Sequence, residues 1–155
     1  MKRKRWQMSE MPKVAVVDRS PDAKAISVVH SVRLEESDLA LRLIEQSEKC
    51  VKLLSIDGKL EFMNCGGMKA MEIDDPSAIY GKFWWTLWPL NAQDMVRSVF
   101  DEAIGGTTST FEATCPTAKG NPRRWSVNLK PICSRAGPVV SVLATSREIP
   151  FRTED

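Results

Sequence analysis

Trp125, Val127 and Leu129 alternate with Arg124, Ser126, Asn128 and Lys130. A period of two over so many residues predicts a half-buried β-strand from Arg123 to Ile132, tryptophan face inward. The runs Thr108–Cys115 and Val139–Glu148 predict strands on either side, joined through Gly/Pro turns. Upstream the period changes. Met95, Val96, Val99, Phe100, Ala103 and Ile104 recur at helical spacing and predict a helix from Ala92 to Ile104. Asn91 is placed to cap it, with Asp94 three residues on, and Gly105-Gly106 to stop it.

Two more strands are predicted earlier, Cys50–Ile56 and Lys59–Asn64, with Asp57-Gly58 between them. Asp-Gly between apolar runs signals a two-residue hairpin whose central residues both take positive φ. In the first strand Val51, Leu53 and Ser55 are set against Lys52 and Leu54. Asn64 is placed to cap the next element, a short helix over Cys65–Glu72 weakened by Gly66 and Gly67. Asp74-Asp75-Pro76 reads as a turn. Trp84, Trp85 and Trp88 sit in a helical or looped insert. A flanking helix is expected from Asp38 to Glu48, capped by Ser37, with Leu39, Ala40, Leu43 and Ile44 as its apolar stripe. Lys13–Val17 is a candidate short strand, and Ala25–Val32 is apolar but short.

The elements therefore run helix, two strands, short helices, one longer helix, three strands. This order predicts an α+β domain with an antiparallel sheet covered on one face. Composition agrees: 43% hydrophobic and 27% charged residues over 155 positions suit one globular domain. The net charge of +2 is unevenly spread. Residues 1–35 hold eight basic and four acidic side chains, and the rest hold fourteen and sixteen. The bland reading of the basic segment is a solvated, flexible terminus.

The ordered set of residues resembles a PAS domain, and more narrowly the PAS domains of bacterial signalling proteins. It is carried by Ile56-Asp57-Gly58 with Asn64, Gly81 with Leu87-Trp88-Pro89, and Ser146-Arg147-Glu148-Ile149. Phe111-Glu112-Ala113, Pro116-Thr117-Ala118-Lys119-Gly120 and Pro122 to Val127 match the later strands. The resemblance implies a five-stranded antiparallel sheet with a helical insert over one face and an N-terminal helix. It divides the chain into a basic segment (1–35), a flanking helix (36–48), the PAS-like domain (49–149) and a tail (150–155). It also implies signal reception or protein pairing, without naming a ligand.

Residues turned from the sheet toward the helices would line any pocket, and the candidates are Leu53, Phe62, Trp88, Met95, Val99, Trp125 and Val127. The same residues are what an unliganded core would contain. Leu39, Ala40, Leu43 and Ile44 are the candidate contact of a homodimer. No catalytic residue is nominated: His30 is the single histidine and lies outside the PAS-like region. No metal is expected, because Cys50, Cys65, Cys115 and Cys133 form no CxxC. The zone 83–88 lacks the cysteine of the light-sensing LOV branch, and residues 91–106 lack a histidine for haem. No cofactor is the leading expectation, and non-covalent flavin stays open beside the tryptophans.

The function expected is a non-enzymatic sensory or protein-interaction module of bacterial signal transduction, sensing a small ligand or pairing with a partner. The alternatives are a flavin-based redox or light sensor, and a small regulator using Lys2-Arg3-Lys4-Arg5-Trp6 on nucleic acid. No helix-turn-helix or finger pattern accompanies that cluster, so nucleic acid is not the leading partner. No apolar run reaches about eighteen residues and no signal peptide is recognisable, so a cytoplasmic location without membrane contact is expected. The last strand ends near the end of the chain, so output is expected in trans, to a signalling partner.

Overall fold

The computed structural model describes residues 36–153. The candidate strand at Lys13–Val17, the stretch Ala25–Val32, His30 and the basic cluster lie outside the described residues. A helix, α1 (Glu36–Gln46), leads into β1 (Cys50–Leu54), β2 (Leu60–Met63) and a short helix α2 (Cys65–Ala70). Three single-turn 3₁₀ helices follow, at Pro76–Ala78, Trp84–Leu87 and Leu90–Ala92. Then come α3 (Gln93–Ile104), β3 (Ser109–Thr114), β4 (Arg124–Cys133) and β5 (Val139–Ile149). The strands form one antiparallel sheet in the order β2-β1-β5-β4-β3. The first and last strands in sequence lie side by side at its centre.

The inward face of β4 is the expected one. Trp125, Val127 and Leu129 are buried against α3 and the tryptophan insert. From α3 they meet Val96, Phe100 and Ala103, with Val99 and Ile104 packed behind. Met95 departs from the expected stripe and is 38% exposed. Asn91 does not cap α3: it lies within the preceding 3₁₀ turn, and no side chain caps the helix start. Instead Gln93 Nε2 donates to the Trp88 carbonyl at 2.9 Å, fastening helix to insert. The stop is as expected. Gly106 takes φ +100°, and the N–H groups of Gly106 and Thr107 return to the carbonyls of Ala103 and Glu102.

The first hairpin corrects two expectations. Its loop has three residues, closed by Ser55 N–H on Lys59 O and Gly58 N–H on Ser55 O, both 2.9 Å. Gly58 has φ +95°, whereas Asp57 is not in the left-handed region, so the two-residue mirror turn is absent. The parity of β1 is also the reverse of that expected. Cys50, Lys52 and Leu54 face the helices, which puts Leu53 on the opposite face, where it pairs with Leu143 and Phe62. Both sets of alternate positions in Cys50–Leu54 contain apolar residues, so alternation alone could not choose between them. The inward set includes a lysine, which the structure buries.

The glycines of α2 have a packing purpose. A Cβ on Gly66 would lie 2.4 Å from the Ser47 carbonyl oxygen. On Gly67 it would lie 2.7 Å from both Cys50 Sγ and Met63 Cγ. The helix-propensity cost is outweighed by an approach that no larger residue permits. Ser37 falls inside α1 rather than ahead of it. Of the expected stripe on α1, Leu39 and Ile44 are half-buried and Ala40 and Leu43 are exposed. Among the described residues no helix is long and apolar enough to cross a membrane.

Candidate functional site

Between the inward face of the sheet and the insert lies a cavity of about 440 Å³. Its floor comes from the strands: Cys50 and Lys52 of β1, Met63 of β2, Trp125 of β4 and Ser146 of β5. Its roof is the tryptophan insert, with Trp84, Leu87, Trp88 and Pro89. One side is closed by Met71, Ile73 and Ile79, and the facing side by Cys115 to Ala118. The volume falls in the range of small-molecule sites.

The roof is rigid for identifiable reasons. Trp84 stands edge-on to Trp88 with ring centroids 5.9 Å apart, and Phe111 of β3 packs beside both at 6.2 and 5.4 Å. Trp84 N–H donates to the Gly58 carbonyl at 2.8 Å, tying the roof to the first hairpin. Trp125 satisfies its indole N–H on the Cys115 carbonyl at 3.0 Å, inside the protein. Burial pushes the Cys115 thiol up to about 11, with Lys52 opposing the shift. Cys115 is therefore a protonated, weakly nucleophilic thiol near neutral pH.

The two sides of the cavity are clasped together. Glu72 follows α2 with φ +56°, the only described residue other than glycine in the left-handed region. That conformation costs about 1–2 kcal/mol for an L-residue with a side chain. The side chain recovers contacts across the rim. Glu72 Oε1 accepts from Thr117 Oγ1 and from Asn121 Nδ2, both at 2.5 Å. Beside them Ala118 N–H donates to the Met71 carbonyl at 2.9 Å. These hydroxyl and amide donors hold the Glu72 carboxyl below its ordinary range, with burial opposing them. The β3–β4 loop and the end of α2 thus close the cavity as one unit.

Of the seven pocket residues expected from sequence, Trp88 and Trp125 line this cavity. Val127 is fully buried in the core and Val99 packs against it, without lining the cavity. Leu53 and Phe62 lie on the opposite face of the sheet, and Met95 is turned toward solvent. Sequence reasoning missed Lys52, Ser146, Cys50, Cys115 and the Met71–Ile73 side. For Ser146 a signal existed: in β5 it continues the parity of Val142 and Ala144, both buried. Among the described residues no group of three His, Cys, Asp or Glu side chains could hold a metal ion.

Solved structures with the same architecture are numerous. The PAS domain of an HTR-like protein from Haloarcula marismortui superposes with a TM-score of 0.63 at 22% identity, over 77% of this chain and 98% of that one. A PAS domain from Colwellia psychrerythraea gives 0.66 at 15% identity, over 76% and 100%. The LOV protein of Rhodobacter sphaeroides gives 0.62 at 12% identity, over 78% and 72%. At such identities the likeness concerns the fold. No curated protein matches the sequence significantly. The family model described as PAS fold matches residues 44–153, well over half of the chain, and the chain belongs to that family.

Proposed function

We propose that the protein is a non-enzymatic sensory module of bacterial-type signal transduction. It takes a small organic ligand into the cavity and passes the occupied state through α1 to a second copy of itself and to a signalling partner. The observation that carries this reading is the cavity of about 440 Å³, walled by groups from the sheet, the insert and both halves of the clasp.

The physical argument concerns what a ligand would press on. Met71 and Ile73 on one side, and Pro116 to Ala118 on the other, meet through Glu72, Thr117 and Asn121. A guest that fills the space would bias the packing of that clasp. The clasp ends α2, and α2 begins at Asn64, whose side chain grips the end of α1. The contacts between cavity and flanking helix are continuous, so two packings of α2 would be felt as two placements of α1.

Native mass spectrometry of the purified protein tests this reading. It is expected to show a bound small molecule, and restoring that molecule to stripped protein should slow amide exchange over residues 36–46 and 71–73. Protein that emerges bare and is stabilised by no member of a broad metabolite library would refute it. A flavin absorption band would replace it with the rival flavin reading. Besides its two thiols the cavity offers Lys52, Ser146 and Thr117 as polar side chains, and the Thr117 hydroxyl is engaged on both sides. The pyrimidine edge of a flavin would find few partners there.

A further inference from the structure

Lysine is among the residues least often found buried, and then it is normally paired with an acid. Lys52 is only 6% exposed, at the centre of the sheet, and it lines the cavity. Its Nζ donates to Ser146 Oγ at 2.9 Å, and this is its one side-chain hydrogen bond within the described residues. Ser146 is itself only 3% exposed. Nζ carries three N–H donors, so this bond leaves two for another acceptor. None of the residues lining the cavity is Asp or Glu. A buried cationic group in a cavity of two hydroxyls, two thiols and apolar walls lacks the counter-charge that would offset its desolvation.

The register explains how the group reaches the cavity. Lys52 pairs with Ala144 across β1 and β5, and Ser146 lies diagonally beyond. The small alanine leaves room for the lysine stem to run along the inward face. Met63, Trp84, Trp88 and Trp125 provide the apolar remainder of the wall. Two donors are therefore offered at the cavity floor, Lys52 Nζ and Ser146 Oγ, below an aromatic roof.

We propose that the ligand of this cavity is an apolar monocarboxylate, a small aromatic or aliphatic acid, whose carboxylate binds Lys52 Nζ and Ser146 Oγ while its body lies among the tryptophans. This rests on the sensing reading above and narrows its ligand. One cationic side chain and the hydroxyl beside it suit a single compact negative charge. A phosphate would present a second charge and a third oxygen with no further donor side chain to meet them.

The test is a panel of acids, each set beside its own primary amide: benzoate, 2-naphthoate, indole-3-acetate and octanoate. Binding is read by calorimetry and by quenching of tryptophan fluorescence, with 2-naphthyl phosphate as a further arm. At least one acid is expected to bind about tenfold or more tightly than its amide. That preference should vanish in Lys52→Met and in Lys52→Gln, two variants that lack the charge but differ in polarity, so a folding defect in one leaves the other to decide. Acid and amide bound alike, or a preference surviving both substitutions, would overturn the assignment and leave a neutral-ligand sensor standing. The phosphate binding more tightly than 2-naphthoate would overturn the monocarboxylate. Failure of every acid and every amide to bind would overturn this inference, while the sensing reading stands or falls separately, by native mass spectrometry and the metabolite library.

Discussion

The side-chain amide of Asn64 donates to the backbone carbonyl of Ile44 at 2.7 Å. Nδ2 also lies within hydrogen-bond reach of the Lys49 and Ser47 carbonyls, at 3.1 and 3.4 Å. On its other side Oδ1 accepts from Val51 N–H and Gly67 N–H, both at 2.9 Å. One fully buried side chain therefore joins the flanking helix, the first strand and α2. Of these groups, Val51 N–H and Gly67 N–H would otherwise be buried without a partner.

Asn64→Ala is expected to destabilise the fold by about 2–5 kcal/mol, because it strands two N–H groups at once. Asn64→Asp is the sharper experiment. It keeps the acceptor but turns a second carboxylate oxygen toward three carbonyl oxygens. Hydrogen exchange should then accelerate over residues 36–46, while the strands 124–133 and 139–149 keep their protection. Unchanged protection of α1 would mean that Glu45 Oε1 on Cys65 N–H, at 2.7 Å, is enough to hold the helix.

Trp125→Ala should cost about 3–5 kcal/mol, the range for large aromatic truncations in cores. The side chain is 3% exposed and its indole N–H is satisfied on Cys115 O. Trp125→Phe isolates the hydrogen bond, and a cost of about 1–3 kcal/mol is expected from the orphaned carbonyl and the lost ring. A denaturation midpoint equal to the parent's for the alanine variant would contradict the burial described for β4.

How much of this was legible in the sequence depended on whether the two faces of an element differed. In β4 the polar set Arg124, Ser126, Asn128 and Lys130 contrasts with Trp125, Val127 and Leu129, so the alternation alone identifies the buried face. In β1 both sets contain apolar residues, and the ordinary cost of burying a charge argues against the set that holds Lys52, which is the buried one. At the hairpin, Asp57-Gly58 announced a turn but could not reveal that Trp85 would sit where a Cβ of residue 58 belongs, 2.3 Å from its ring edge. Asn64 was recognised as a cap because capping is local, four residues wide. Its grip on Ile44 is a contact twenty residues back, which no local pattern records. The Glu72 clasp was invisible for the same reason: its partners lie 45 and 49 residues away.

That clasp has a pH signature. The Glu72 carboxyl titrates below its ordinary value of 4.5 in the folded protein, through Thr117 first and Asn121 second. A depressed acid stabilises the fold fully above its unfolded pKa, and that contribution is lost as pH falls through the folded value. Parent and Glu72→Gln should therefore differ most near neutral pH and converge as pH falls below the ordinary 4.5 and through the lowered folded value. The group is solvent-facing, so the difference is expected to be small and best read as a local change. Amide exchange at Thr117 to Asn121 is the suitable measurement, and equal profiles for the two proteins from pH 3 to 7 would sink the idea.

Pairing through α1 is the last expectation. Leu41 and Leu43 are 51% and 61% exposed, on a helix anchored at its far end by Asn64. Leu43 shares its face with the exposed Ala40 three residues back, whereas Leu41 lies on the other side, and burying the Ala40–Leu43 face would stabilise a complex. A second copy is the simplest occupant, since a twofold axis lets both copies use the same patch. Sedimentation of the full chain is expected to show a dimer at about tens of micromolar protein. Leu41→Glu with Leu43→Glu should dissociate it without lowering the melting temperature of the sheet, because neither leucine belongs to the core. A monomeric parent at that concentration would contradict the homodimer. A double variant that still dimerises with the parent's affinity would keep the dimer and move its contact elsewhere, and the half-buried strip of Leu53, Phe62 and Leu143 on the outer face of the sheet would be the next surface to substitute.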